Sequence, residues 1–151
     1  MNNWSQLRPL SKLDQLAETI MKSAFLLSEN HNVIQSYLNH KGANFKIHNR
    51  VGESEYDILC RQINIEKTNY AFVPKSDLER GLRDDLWVGL VLFIDGEKPS
   101  KYLFSSTVWN EPNQLFTDTS VKNPEYGINL NKYTMKEFVE KYAFEKMILE
   151  L

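Results

Sequence analysis

Nine consecutive residues, Leu86 to Ile94, form the longest apolar run of the chain and constrain its fold more than any other stretch. A membrane-spanning helix needs about twenty such residues, so the run is too short to cross a bilayer and suits a buried strand. A strand with one wet face alternates apolar and polar residues, and this one does not alternate. It therefore reads as a central strand covered on both faces, with helices expected as the cover. No membrane partner is expected.

The flanks complete the sheet. Asp95-Gly96 makes a tight connection into Lys101 to Val108, which predicts an antiparallel hairpin with the apolar strand. Upstream, Ala43 to His48, Tyr56 to Ile63 and Asn69 to Val73 read as strands separated by turns at Gly52 and at Asn64 to Thr68. Pro74 cannot donate to a ladder and ends the third of them. Ser76 and Glu79 have the spacing of a capping box, which predicts a short helix to about Arg83.

Helices are expected at both ends. Ser11 followed by Asp14 reads as an N-cap, and Leu13, Leu16, Ala17, Ile20, Ala24 and Leu27 recur at helical spacing behind it. A second short helix is expected from about Asn32 to His40, with Val33, Ile34, Tyr37 and Leu38 inward and Gly42 ending it in a left-handed conformation. A capping box at Thr134 and Glu137 predicts a last helix presenting Phe138, Val139 and Tyr142 on one side.

The expected fold is thus α/β (α+β): a mixed sheet of about five strands flanked by helices, in the order α-(α)-β-β-β-α-β-β-α. One domain over residues 1–151 is expected, with an amino-terminal arm at 1–10, an α/β core at 11–109, a long surface loop at 110–133 and a C-terminal helix at 134–151.

Charge and cysteine content narrow the function classes. Eighteen basic and twenty acidic residues give a net charge of −2, so no global field draws the chain to phosphate backbones or anionic lipid. Cys60 is the only cysteine, which excludes an internal disulfide framework and a multi-cysteine zinc site. Residues 1–10 lack the apolar core of a signal peptide, and a reducing, cytoplasmic location is expected.

Several chemistries find no motif. The six glycines are scattered and form no phosphate-binding loop. His31, His40 and His48 have no zinc-ligand spacing and read as surface or loop residues. Cys60 reads as a buried, inert thiol in a strand, and Ser105 and Ser106 lack a nucleophile elbow. The mixed run from Glu79 to Asp85 reads as a solvated helix end rather than a nucleic-acid stripe. Trp109, Asn110, Glu111, Pro112, Tyr126 and Gly127 have the composition of a contact loop, with aromatic plugs at the sheet edge as the alternative. Trp4 and Leu7 either cover the domain or reach a partner chain.

The order helix, three strands, helix, strand resembles the core of the restriction-endonuclease-like, or PD-(D/E)xK, nuclease superfamily over about residues 11 to 109. That resemblance implies an Asp at the second core strand, an acid and a Lys two apart on the third, and a helix Glu, converging on a divalent cation. Residues two apart on a strand share a face, so acid and Lys can enter one cleft. Asp57, in Tyr56-Asp57-Ile58-Leu59, stands where the first Asp falls. Lys75, in Phe72-Val73-Pro74-Lys75, stands where the Lys falls, and Glu18 is the helix carboxylate. The implied catalytic set is Asp57, Lys75 and Glu18, with Asp57 and Glu18 as ligands of Mg or Mn.

The sequence departs from the motif at Val73, where the second acid should stand, and at Pro74. The expectation is therefore a domain with a degenerate metal site that binds DNA, RNA or a protein partner without cleavage. The alternatives are an active divalent-metal-dependent nuclease and a self-associating interaction domain that uses the loop from Trp109 to Tyr126. On the simplest reading, Asp57 only bounds a strand, Lys75 precedes a helix cap and Glu18 is solvated.

Overall fold

The computed structural model describes residues 3–9, 11–38 and 42–151, so His40 lies outside the described residues. A helix, α1 (Ser11–Leu27), precedes three strands, β1 (His31–Ser36), β2 (Phe45–Asn49) and β3 (Glu55–Asn64). Five more strands follow: β4 (Tyr70–Pro74), β5 (Leu86–Phe93), β6 (Ser100–Ser105), β7 (Phe116–Thr119) and β8 (Glu125–Asn129). Two short helices, α2 (Met135–Lys141) and α3 (Phe144–Met147), close the chain.

The fold is α+β with two sheets rather than one. The larger is mixed, in the order β1-β2-β3-β5-β6, and the smaller runs β4-β8-β7. β1, β2 and β3 form an antiparallel meander, β3 and β5 run parallel, and β5 and β6 form the expected hairpin. Among the described residues no helix is long and apolar enough to cross a membrane.

β5 is buried at every position, as its sequence requires. Its alternate residues feed two cores. Trp87, Val91 and Phe93 face α1, whose Leu13, Ala17, Met21 and Phe25 recur every four residues along one stripe. Leu27, expected on that stripe, is instead exposed at the helix end. Leu86, Val88, Leu90 and Leu92 face the small sheet, through Ala71, Val73, Phe116 and Ile128. The cover expected to be helical on both faces is helical on one and a second sheet on the other.

Gly89 sets how closely α1 packs on β5. A Cβ added there would lie 2.8 Å from Met21 Cγ, and Met21 is fully buried. Overpacking of this kind costs about 1–3 kcal/mol. Gly89→Ala is expected to lower the unfolding free energy by that amount, read in urea as a lower midpoint with no change in the slope of the transition.

Four expected elements differ. Residues 32–40 were expected to be helical, but β1 takes up His31–Ser36, because Val33 pairs opposite Ile47 and β-branched residues pack well on a sheet. The helix expected from Ser76 to Arg83 is a single 3-10 turn at Lys75–Asp77, and Gly81 breaks the chain with φ +70°. The loop expected at 110–133 contains β7 and β8, of which β8 pairs with β4 on one side and with β7 on the other. The last helix is divided at Tyr142 and Ala143, where the chain bridges to β6 and the Leu103 N–H donates to the Tyr142 carbonyl at 2.9 Å. Thr134 does not cap α2, since its hydroxyl donates to the Asn129 carbonyl; the Asn131 side chain instead accepts from the Tyr133 and Thr134 amides.

Arg61 ties the sheets together. Its Nε donates to the Phe72 carbonyl on β4 and one terminal nitrogen to its neighbour's carbonyl at Cys60, both at 2.9 Å. Burial lowers its pKa, so the guanidinium persists there by filling carbonyl acceptors that would otherwise stay unpaired. His31, expected at the surface, is buried between the Ser28 hydroxyl and the Leu151 carbonyl.

Candidate functional site

β3 and β5 run parallel and begin together, with Asp57 opposite Leu86 and the Asp57 amide donating to the Asp85 carbonyl at 2.8 Å. At this end of the sheet lies a cleft of about 620 Å³. Asp57 and Leu86 form its floor. Tyr37 and Leu38, following β1, and Gly42 and Ala43, preceding β2, form one wall; residues 77–81 and 83 of the crossover form the other. The walls meet at Gly42, whose φ is +85° and where a Cβ would lie 2.7 Å from the Asp77 carbonyl oxygen. Only glycine fits that contact without strain.

Asp57 is clamped from several sides. The Tyr37 hydroxyl donates to one carboxylate oxygen at 2.8 Å, and an Arg83 terminal nitrogen donates to the other at 2.8 Å. Lys46, paired opposite it on β2, brings its ammonium to 3.9 Å. Arg83 also holds Asp85 at 2.6 Å, and its backbone is bonded in both directions to the buried Ser106 hydroxyl. Its Nε is buried with no hydrogen-bond partner among the described residues.

The electrostatics follow from this geometry. Burial, helped by the hydrogen bond to Asp57, pushes the Tyr37 phenol up to about 12. Burial works against the Arg83 charge, but the bonds to Asp57 and Asp85 outweigh it and raise its pKa. For Asp85 burial pushes up and the bond to Arg83 more than reverses it, leaving the carboxyl below the usual range.

The three residues singled out by sequence are not joined by any contact between described side chains. Glu18 accepts from Asn44 at 2.7 Å and pairs with Lys22 at 3.5 Å on α1. It lies on the α1 side of the sheet, with Ile58 and Cys60, whereas Asp57 alternates to the other side. Lys75 opens the 3-10 turn after β4 and reaches over the small sheet, ion-paired with Asp118 and set 4.8 Å above the Tyr126 ring. Val73, at the position of the missing acid, is fully buried in the core between the sheets. Among the described residues no group of three or more His, Cys, Asp or Glu side chains is placed to hold a metal ion.

The remaining candidates resolve simply. Cys60 is buried and burial pushes its thiol well above the usual range, as expected of an inert residue. Trp109 is buried and stacks on the half-buried Tyr126 at 5.2 Å, while Asn110, Glu111 and Pro112 are exposed. Trp4 covers the domain, lying 5.1 Å from Phe93 and donating to the Glu97 carbonyl. Arg83 and Tyr37 were missed. The one available signal was an arginine shortly before the start of the apolar strand, within a run whose mixed signs hid it.

Comparison with protein-family models, with characterised proteins and with solved structures finds no match for this chain.

Proposed function

We propose that the chain is a binding domain without cleavage activity, and that the Asp57–Arg83 cleft receives a protein partner. The observation that carries this is the state of Asp57: both carboxylate oxygens are occupied by Tyr37 and Arg83, with Lys46 beside them. A hard divalent cation needs free oxygen ligands, and two nearby cations oppose it. On this reading the position shared with the nuclease motif is kept as an ion-pair anchor.

Charge favours protein over nucleic acid. The cleft is lined by three carboxylates, Asp57, Asp77 and Glu79, against two guanidiniums, Arg80 and Arg83. A phosphate backbone needs the opposite balance. Arg80 is exposed and makes no hydrogen bond or ion pair to another described residue, so it is available to a partner's carboxylate or carbonyl groups.

The test has two arms. Labelled DNA and RNA oligonucleotides incubated with Mg or Mn should be neither bound in a salt-dependent manner nor cut. Proteins captured from lysate by the wild type and by Arg80→Glu should differ by one partner that the variant loses. Mn-dependent cleavage that disappears in Asp57→Asn would overturn the reading, as would oligonucleotide binding that weakens in Arg80→Glu.

A further inference from the structure

A second cavity, of about 440 Å³, opens where the 3-10 helix Ser106–Asn110, the start of β7 and the end of α2 at Tyr142 come together. It shares no lining residue with the Asp57–Arg83 cleft. Its size falls in the range of about 300–1,000 Å³ that holds a small molecule. The loop that walls it is fixed by its own bonds: the Asn113 side-chain oxygen accepts from the Leu115 and Phe116 amides, both at 2.8 Å, and the Asn113 amide donates to the Phe116 carbonyl at 2.9 Å. A loop held this way has little order left to lose on binding.

The lining carries charge of one sign. Glu111 is exposed, and its carboxylate makes no hydrogen bond or ion pair to another described residue. Among the described residues no Lys, Arg or His lines the cavity. Lys141, next in the chain to Tyr142, is held by Glu137 at 3.1 Å. Burial raises the Tyr142 pKa most, and Glu137 raises it by more than Lys141 lowers it, so the field at that hydroxyl is negative on balance. Below lies an aromatic floor, where Phe116 and Tyr142 meet edge to face at 5.3 Å. Aromatic ring faces attract a cation within about 6 Å.

We propose that this cavity binds a small organic ammonium ion, which donates to the Glu111 carboxylate and the Asn110 amide oxygen and rests its carbon chain on Phe116 and Tyr142. Charge selects the ligand. An anion would meet Glu111 with no cation in the lining to offset it, and a metal ion would find one carboxylate where it needs several oxygen ligands. A neutral ligand would leave the carboxylate without a counter-charge. The site is independent of the cleft reading, since it uses none of Asp57, Arg80 or Arg83.

Probes of one chain length isolate the charge: n-butylammonium, n-butanol and butyrate, each titrated into the full chain and followed by the amide resonances between Thr107 and Asn113. Only n-butylammonium should give saturable shifts. Glu111→Gln, a change at an exposed side chain, removes one charge-assisted bond and should weaken that binding about tenfold. N-acetyl-lysine methylamide then identifies the source of the amine. Binding tighter than that of n-butylammonium supports the site with a protein's lysine side chain as occupant, and weaker binding supports it with a free amine. An absence of saturable shifts with n-butylammonium overturns the proposal. So does equal binding of n-butanol or butyrate, or n-butylammonium binding that Glu111→Gln leaves unchanged.

Discussion

Trp109→Ala is expected to remove most of the stability of the fold. Trp109 is 2% exposed and fixes three things at once. Its ring meets Phe104 and Phe116 edge-on and stacks on Tyr126, filling the core between the two sheets. Its Nε1 donates to the Gly127 carbonyl on β8 at 3.0 Å, in a buried setting. Truncating a buried Trp costs about 3–5 kcal/mol, and the lost hydrogen bond adds about 1 kcal/mol. A domain is stable by only about 5–15 kcal/mol in all. For a chain of this length the ring's share alone lowers the melting temperature by roughly 6 to 20 °C. Trp109→Phe keeps most of the packing and loses the hydrogen bond, so its loss should be about a third as large. Urea titrations followed by far-ultraviolet circular dichroism separate the two. Equal midpoints for both variants would show that packing around this ring does not hold the small sheet.

The small sheet is also where the sequence was hardest to read. β5 was legible because an unbroken apolar run admits few placements, and α1 because its buried residues keep a four-residue spacing over four turns. β7 and β8 have only four and five residues and lie among Asn, Pro and Lys. Neither buries enough on its own to be recognised as a strand. They exist because β4, over forty residues earlier, supplies the edge that β8 pairs with and β8 in turn pairs with β7, and a pairing at that range leaves no local periodicity. β1 failed for a different reason. Val33, Ile34, Tyr37 and Leu38 fit one side of a helix as well as a bulged strand, and only the β-branched pair favoured the strand.

At the cleft the sequence identified one member and missed its partners. Asp57 stood out through its position at the start of a strand, whereas Arg83 lay among charges of both signs and read as solvated. They meet because parallel pairing aligns the starts of β3 and β5, which lie 29 residues apart by the Asp57 to Leu86 register. Ser106, fixing the Arg83 backbone from beyond β6, could not be read as a member of the same site from its neighbours in the chain. Spacing reports residues that share an element; a site assembled from the ends of four elements is set by topology.

Asp57→Ala should destabilise the protein, and the sign of that change separates an anchor from a metal ligand. Carboxylates gathered to hold a cation repel one another when it is absent, so deleting one relieves strain and leaves stability equal or higher. Asp57 instead sits between cations, with side-chain exposures of 12% for Asp57 and 19% for Arg83. Breaking a fully buried pair costs about 3–5 kcal/mol; with this residual solvent access and Asp85 still bound to Arg83, about 2 kcal/mol is expected. The Tyr37 phenol gives a second readout that unfolding does not imitate. Its hydrogen bond to Asp57 helps hold its pKa near 12, and Tyr70, bonded to Glu125 on the small sheet, is held near the same value. In Asp57→Asn the Tyr37 ionisation should fall towards 10 while that of Tyr70 stays. A raised phenol pKa stabilises the fold fully below pH 10 and loses that contribution as pH climbs through 12, so the wild type should weaken over that window and the variant less. An Asp57→Ala protein as stable as the wild type, with tyrosine titration unchanged in Asp57→Asn, would remove the clamp from the account of this cleft.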